Sequence, residues 1–149
     1  MLGFSKQIHY AIMALGYLAR HDSSRYISAG EISEEYRMPP EMLAKILQRL
    51  ARKGLVRAQA GPTGGYALAI EPKDISLSDI LRAIEGPFHL TRCLGDELYC
   101  VIADRCDIQG PLKVIEERML LVFDTINLEE ISHQSHPDQQ VCQCHFVTT

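Results

Sequence analysis

The sequence predicts a mainly α-helical protein with one small β-hairpin, arranged as a winged helix-turn-helix followed by a long C-terminal helix. Three observations favour this fold. Residues 5–53 contain three segments with apolar side chains at helical spacing, a tight turn "RMPP" separates the second from the third, and a glycine-rich turn then joins two short apolar segments. A winged helix-turn-helix has this order of elements: a helix, a short helix, a turn, a further helix and a hairpin.

Each of the three front helices has a start signal. Ser5 precedes the first, and Ser28 opens the second with Glu31 three residues on, the pattern of a capping box. Pro40 suits the first turn of the third helix, because its missing N–H costs little there. The buried stripe of the first helix is expected to consist of Ile8, Ile12, Leu15 and Leu18. That of the third is expected to consist of Met42, Leu43, Ile46, Leu47 and Leu50.

The segment "GPTGG" is expected to be the turn of the hairpin, since Gly64 and Gly65 permit backbone angles that other residues avoid. A nucleotide-binding loop is a poor alternative, because no GK[ST] follows and no parallel sheet is predicted. Ser76 then caps a fourth helix, which Gly86-Pro87 ends.

A long fifth helix is expected to start at Gly110-Pro111. Its apolar face is wider than one neighbouring helix needs, which favours a dimerisation helix over a helix packed only on its own domain. This face consists of Val114, Ile115, Met119, Leu121, Val122 and Ile126. We therefore expect a DNA-binding domain over 1–71, a segment over 72–131 with the fourth helix, a cysteine loop and the dimerisation helix, and a polar, flexible tail over 132–149.

Charge is distributed unevenly along the chain. Residues 1–70 carry nine Lys or Arg and five Asp or Glu, whereas residues 71–149 carry six and fourteen. A basic front half suggests a polyanion partner, namely double-stranded DNA, for that half alone. The chain shows no signal peptide and no apolar run of roughly 20 residues, so we expect a cytoplasmic protein without a membrane partner.

The residues expected to contact DNA lie on the third helix and the hairpin. Lys and Arg would neutralise phosphates, and Gln48 could read a base edge in the major groove. On the helix the candidates are Glu41, Lys45, Gln48, Arg49 and Arg52; on the wing they are Arg57, Thr63, Gly64 and Gly65. The alternative for the helix is a solvated amphipathic face.

Three cysteines, Cys93, Cys100 and Cys106, lie in a short polar stretch with gaps of six and five residues. In the reducing cytosol they indicate metal or redox chemistry rather than disulfides. Zinc sites usually have closer spacing, so zinc is disfavoured. A thiol redox switch is possible, because Arg92 and Arg105 flank two of the thiols. An iron–sulfur cluster needs thiolates spread around its core, which these gaps allow.

Residues 1–131 resemble the Rrf2 family of bacterial transcription regulators. The resemblance rests on "SKQIHYAIMAL", "ISEEYRMPPEMLAKILQRLARKGLV", "GPTGGY", "DISLSDILRAIEG" and the three cysteines. It implies a homodimer, and in cysteine-bearing members an iron–sulfur cluster (2Fe–2S or 4Fe–4S) that tunes operator binding. Two departures are visible: Ala60 stands where family wings commonly carry Arg, and the first cysteine gap is one residue longer than usual.

The fourth cluster ligand is also suggested by the resemblance. Some relatives use a His three residues after the third cysteine, where this chain has Gln109, a poor iron ligand. Others use an acidic residue early in the first helix; alignment on Ser5-Lys6 places His9 there, and imidazole is a competent iron ligand. The rivals are His89 and the tail residues Cys142, Cys144 and His145.

The resulting prediction is a homodimeric, iron–sulfur-dependent repressor that senses cluster status, redox stress or nitric oxide. One alternative is a regulator whose thiols sense oxidants without a cluster. Another is an accessory protein whose helix-turn-helix mediates only protein contacts. No catalytic set or phosphate loop is present, so we expect neither an enzyme nor a small-molecule substrate.

Overall fold

A computed structural model describes residues 3–95, 100 and 102–133. Its helices are α1 (Lys6–Ala19), α2 (Ala29–Tyr36), α3 (Pro40–Arg52), α4 (Leu77–Ile84), α5 (Gln109–Thr125) and α6 (Leu128–His133). Strands β1 (Val56–Gln59) and β2 (Gly65–Leu68) form an antiparallel pair, with Val56 opposite Leu68 and Gln59 opposite Gly65. The predicted fold class, mainly helical with one hairpin, is confirmed.

The capping signals are mostly confirmed, with one correction. Ser5 Oγ accepts from the Ile8 N–H at 3.3 Å. Ser28 Oγ likewise accepts from the Glu31 N–H at 3.1 Å, but the Glu31 carboxylate does not complete the predicted capping box. It accepts instead from Arg25 at 2.9 Å and from the Tyr17 hydroxyl at 3.3 Å. Burial and the adjacent Glu31 charge raise the pKa of Tyr17 above its ordinary value.

A complete capping box is found at α4. The Asp79 N–H donates to Ser76 Oγ and the Ser76 N–H donates to Asp79 Oδ2, each at 3.1 Å. Helix α5 begins two residues before Pro111, earlier than the sequence suggests. Pro111 is tolerated there because N–H groups in the first turn have no partner within the helix.

A single hydrophobic core connects the front and back of the chain. Helix α1 packs against α3, α4 and α6. Ile8, Leu15, Leu47, Ile80 and Leu128 are all fully buried in this one cluster. Helix α3, the predicted DNA-reading helix, therefore belongs to the same core as α4 and α6, which lie C-terminal to the hairpin.

Helix α5 differs from the others because much of its apolar surface is exposed. Val114, Ile115, Leu121 and Val122 have exposed fractions of 48%, 47%, 65% and 55%. Met119 and Ile126 are half-buried. Its inner face packs through Phe123, whose ring lies 5.4 Å from Phe88 and 6.1 Å from Phe4. No helix within the described ranges has the length and hydropathy needed to cross a membrane.

Candidate nucleic-acid interface and cysteine segment

A tight turn positions α3 after α2. Arg37 adopts a left-handed conformation (φ 52°), and the buried Ser33 hydroxyl donates to the Met38 carbonyl at 2.7 Å. Pro39 then precedes the first helical residue, Pro40, so two prolines with restricted backbone angles start the helix. The turn is short, and both backbone polar groups of Met38 are satisfied by Ser33.

Helix α3 has one buried face and one polar face. Leu43, Ile46, Leu47 and Leu50 are buried, whereas the predicted DNA-contacting residues Glu41, Lys45, Gln48, Arg49 and Arg52 are all exposed. Within the described residues, the side chains of Lys45, Gln48 and Arg52 have no hydrogen-bond or ion-pair partner. These three are therefore available for phosphate and base contacts.

Arg49 is the exception on this face. Its Nη1 donates to Gln7 Oε1 of α1 at 2.8 Å and to the Ile84 carbonyl of α4 at 3.0 Å. A guanidinium is well suited to such a link, because its fixed fork of donors can hold two acceptors at once. The structure thus gives Arg49 an internal role that its place on a polar helix face does not reveal.

The wing is held close to the α1–α2 connection. The guanidinium of Arg57 stacks over the Tyr26 ring, 5.5 Å from its centroid, and donates to the Ser23 carbonyl. Thr63 is exposed in the turn between the strands. Arg57 is therefore anchored by Tyr26 and Ser23, which sequence reasoning missed because a lone tyrosine before a helix carries no such signal.

Gly64 and Gly65 have a steric role in the wing. A Cβ at Gly64 would lie 2.2 Å from the Gln59 carbonyl oxygen, and one at Gly65 would lie 2.3 Å from the Ile27 carbonyl oxygen. The second contact follows from backbone pairing between Ile27 and Tyr66, whose N–H and C=O groups exchange hydrogen bonds of 2.8 and 2.9 Å. Both glycines are needed because backbone lies where a side chain would be.

Cys93, Cys100 and Cys106 lie in the part of the chain between α4 and α5, which we call the cysteine segment. Cys93 belongs to a short 3-10 turn, Arg92–Leu94, and Cys106 follows another, Ala103–Arg105. All three thiols are free and partly buried, and Cys93 Sγ lies 3.2 Å from Thr91 Oγ1. Thiols are the donors that an iron–sulfur cluster takes, so the chemistry of the set fits. The described residues, however, contain no group of three Cys, His, Asp or Glu side chains close enough to hold a metal ion.

The candidates for a fourth ligand that the structure describes belong to different parts of the chain. His9 is exposed on α1, and Gln109 is exposed as the first residue of α5. His89 lies beside Glu116, with 3.3 Å between Nδ1 and Oε1. The tail candidates Cys142, Cys144 and His145, and the prediction of a flexible tail, lie outside the described residues.

Comparison with known proteins gives the fold predicted from the sequence and places the chain among transcription regulators. The model of the Rrf2 family, described as "Iron-dependent Transcriptional regulator", matches residues 4–134. The chain belongs to the Rrf2 family. It is thus a DNA-binding transcription regulator, in a family of regulators rather than enzymes.

Individual relatives of this Rrf2 protein are moderately similar. The transcriptional regulator IscR of Xenorhabdus nematophila is 30% identical over 122 residues, which is 82% of this chain and 74% of that protein. A protein of Aquifex aeolicus is 35% identical over 91 residues, and the match covers 61% of this chain and 62% of that protein.

Two solved structures are also similar. CymR, the global cysteine regulator of B. subtilis, has a TM-score of 0.72 and 26% identity, with 91% of this chain and all of that chain covered. IscR of T. potens has a TM-score of 0.68 and 27% identity, with 91% and 89% covered.

Glu116 is a feature of this Rrf2 protein that sequence reasoning missed. It is buried on α5, with an exposed fraction of 9%. Its Oε2 accepts from the Leu90 N–H at 2.6 Å, and its Oε1 faces His89. The spacing from Glu116 to Met119 and Phe123 places it on the inner helical face, which is the signal that could have revealed it. Glu116 thereby fixes the start of the cysteine segment on α5.

We expect Glu116→Ala to lower the free energy of unfolding by about 2 kcal/mol, because the Leu90 N–H loses a charged acceptor. Glu116→Gln keeps an acceptor and should cost less. Urea denaturation measures both, and the exposed neighbour Glu117→Ala is the matched control. Equal stability of the Glu116→Ala and Glu117→Ala variants would show that Glu116 does not hold the segment.

Proposed function

We propose that this Rrf2 protein is a cytoplasmic, homodimeric repressor whose operator binding depends on an iron–sulfur cluster and reports cluster status, redox stress or nitric oxide. The observation that carries the proposal is the position of the three free, partly buried thiols. They lie between α4, which shares the core with α3, and α5, which has an exposed apolar face. A chemical change at the thiols would therefore act where the DNA-binding core meets the proposed dimerisation helix α5.

The DNA-binding part of the proposal rests on the polar face of α3. Lys45, Gln48 and Arg52 project from it without partners among the described residues, and Glu41 lies in the first turn of the helix. In winged helix-turn-helix proteins this helix enters the major groove, and a dimer binds two half-sites roughly 34 Å apart. Thr63, with Gly64 and Gly65 shaping the turn, would touch the flanking backbone.

The homodimer is supported by α5. Contiguous exposed apolar side chains of this kind mark interfaces, because monomers rarely leave such surfaces in water. Val114, Ile115, Leu121 and Val122 lie along one helix of 17 residues. A second copy of the same helix would cover them through a two-fold contact.

Cys93, Cys100 and Cys106, with His9 as the fourth ligand, are the residues we propose to hold the cluster. When bound, an iron–sulfur cluster supplies a centre that gains or loses electrons and reacts with oxidants or nitric oxide. Because the described residues do not gather three metal ligands, ligation would have to bring the thiols together, which couples cluster occupancy to local conformation. A fourth ligand other than cysteine, such as His9, can be displaced, which would make the site labile.

Anaerobic purification tests the proposal. We expect a coloured protein with visible absorption, equal iron and sulfide counts, and operator binding that is lost when a chelator strips the iron. Loss of operator binding should amount to about tenfold or more, the range of typical allosteric coupling. Iron-free protein, or an affinity unchanged by stripping, would refute cluster dependence.

Two variants then assign the fourth ligand. His9→Ala should shift the visible spectrum and weaken iron retention, because a ligand is lost. Gln109→Ala is the matched control and should leave the spectrum unchanged. An unchanged His9→Ala spectrum would remove His9 from the site.

A second candidate function is thiol sensing without a cluster. The specific observation in its favour is that the described residues do not bring three ligands together, while Arg92 and Arg105 adjoin two of the free thiols. This function predicts a colourless anaerobic protein whose operator affinity changes on mild oxidation.

A further inference from the structure

Arg49 joins three helices through one side chain. Its two acceptors lie on α1 and α4, 42 and 35 residues away in sequence. The other cationic candidates on α3, Lys45 and Arg52, have no partner among the described residues. Arg49 therefore has a fixed orientation toward the body of the protein.

The acceptor on α4 is at a particular place in the fold. Ile84 is the last residue of α4, and carbonyls in the final turn of a helix have no partner within that helix. A guanidinium stabilises such carbonyls because they form the negative end of the helix dipole. The contact is thus favourable in charge as well as in geometry.

The chain beyond Ile84 leads directly to the cysteine segment. Gly86 (φ 88°) turns the backbone, Phe88 packs on Phe123, and Leu90 donates to the buried Glu116. Cys93 follows three residues later. The stretch from Ile84 to Cys93 is therefore bonded to α3 at Ile84 and to α5 at Leu90, three residues before Cys93.

We propose that Arg49 is a positioning residue that sets the angle of α3 against α4 and relays the state of the cysteine segment to the DNA-reading face. The relay rests on the function proposed above. A change at Cys93 that shifts the end of α4 moves the Ile84 carbonyl, and Arg49 transmits the shift to α3. The Gln7 amide oxygen of α1 accepts from the same Nη1, so α1 also constrains where the guanidinium lies.

Hydrogen exchange of the full-length protein without DNA tests the positioning role. Arg49→Met should speed exchange in α3 and in residues 85–90 by about tenfold, the effect of losing a hydrogen bond from a charged donor. Arg82→Met is the matched control, since Arg82 is exposed on α4 and pairs only weakly with Asp79 at 3.8 Å. Exchange unchanged in Arg49→Met would overturn the proposal.

Alkylation of the thiols with N-ethylmaleimide tests the relay. In the wild-type protein it should alter exchange in α3; in Arg49→Met that response should disappear, and in Arg49→Lys it should be partly restored. If Arg49 were only structural, alkylation would still change hydrogen exchange in α3 of the Arg49→Met variant, and that outcome would refute the relay. The relay is also refuted if alkylation leaves exchange in α3 of the wild-type protein unchanged. A protein that responds but never contains iron keeps the relay and instead refutes the iron-dependent function.

The salt dependence of DNA binding separates positioning from direct phosphate contact. A duplex selected by the wild-type protein from a random pool serves as the probe. Gln7→Ala removes one partner of Arg49 without changing charge, so it should weaken the response to alkylation while the slope of log affinity against log salt stays constant. Arg49→Met should also leave that slope unchanged. A slope reduced by about one in Arg49→Met would mean that Arg49 binds phosphate, and would overturn the proposal.

Discussion

Leu121→Glu is expected to convert the protein to a monomer and to reduce operator affinity by at least about 100-fold, since a dimer engages two half-sites and a monomer only one. Leu121 is the most exposed of the apolar residues on α5, at 65%, so the monomer itself should fold normally. In a dimer the same position would bury an unpaired carboxylate, which is strongly unfavourable.

Light scattering on a sizing column measures the mass, and fluorescence anisotropy on the selected duplex measures the affinity. Leu121→Met is the matched control, because it keeps an apolar side chain of similar volume and should stay dimeric. If Leu121→Glu has the mass of a dimer at micromolar concentration, α5 is not the interface.

Gly65→Ala is expected to destabilise the fold by about 3 kcal/mol, within the range that backbone strain and clashes produce. The added Cβ would lie 2.3 Å from the Ile27 carbonyl oxygen, and this neighbour is backbone that cannot rotate away. Relief would require breaking the bridge between Ile27 and Tyr66, which attaches the wing to the start of α2. The wing would then be displaced, and DNA affinity would fall as well.

Urea unfolding measures this loss, with Gly30→Ala as the control. Gly30 lies in α2, where a Cβ would meet only Ser28 Oγ at an ordinary 3.7 Å. Alanine favours helix over glycine, so Gly30→Ala should gain up to about 1 kcal/mol. Equal stabilities of Gly65→Ala and the wild type would show that the wing can detach without cost.

The elements of the fold were predictable because their signals are local. Ser5 and Ser76 mark helix starts through hydrogen bonds to N–H groups three residues on, and Pro40 does so through its own restricted backbone. Gly64 lies against the backbone of the same turn, whereas the clash that requires Gly65 comes from the distant Ile27. The apolar face of α5 was also visible from spacing alone. Glu31 illustrates the limit. Its N–H donates to Ser28 as predicted, but its carboxylate accepts from Arg25 and Tyr17 instead of from the Ser28 N–H.

The partners of the side chains with internal roles were not predictable, because they are distant in sequence. Nothing in the spacing of α3 distinguishes Arg49, held by Gln7 and Ile84, from a phosphate-binding arginine. Helical spacing places Glu116 on the inner face of α5, but its partner is a backbone N–H that is 26 residues away. A cluster bound by Cys93, Cys100 and Cys106 stays a prediction, because metal ligands can take up their final geometry only when the group binds.

The bridge between Ile27 and Tyr66 also bears on aggregation. A two-stranded hairpin exposes two rows of unpaired backbone groups, and such edges can recruit strands from other chains. Here Ile27 occupies part of the outer edge of β2. The outer edge of β1 carries Arg57, whose charge discourages a neighbouring strand. Both outer edges of the hairpin thus carry a feature that disfavours the addition of a strand from another copy of the chain.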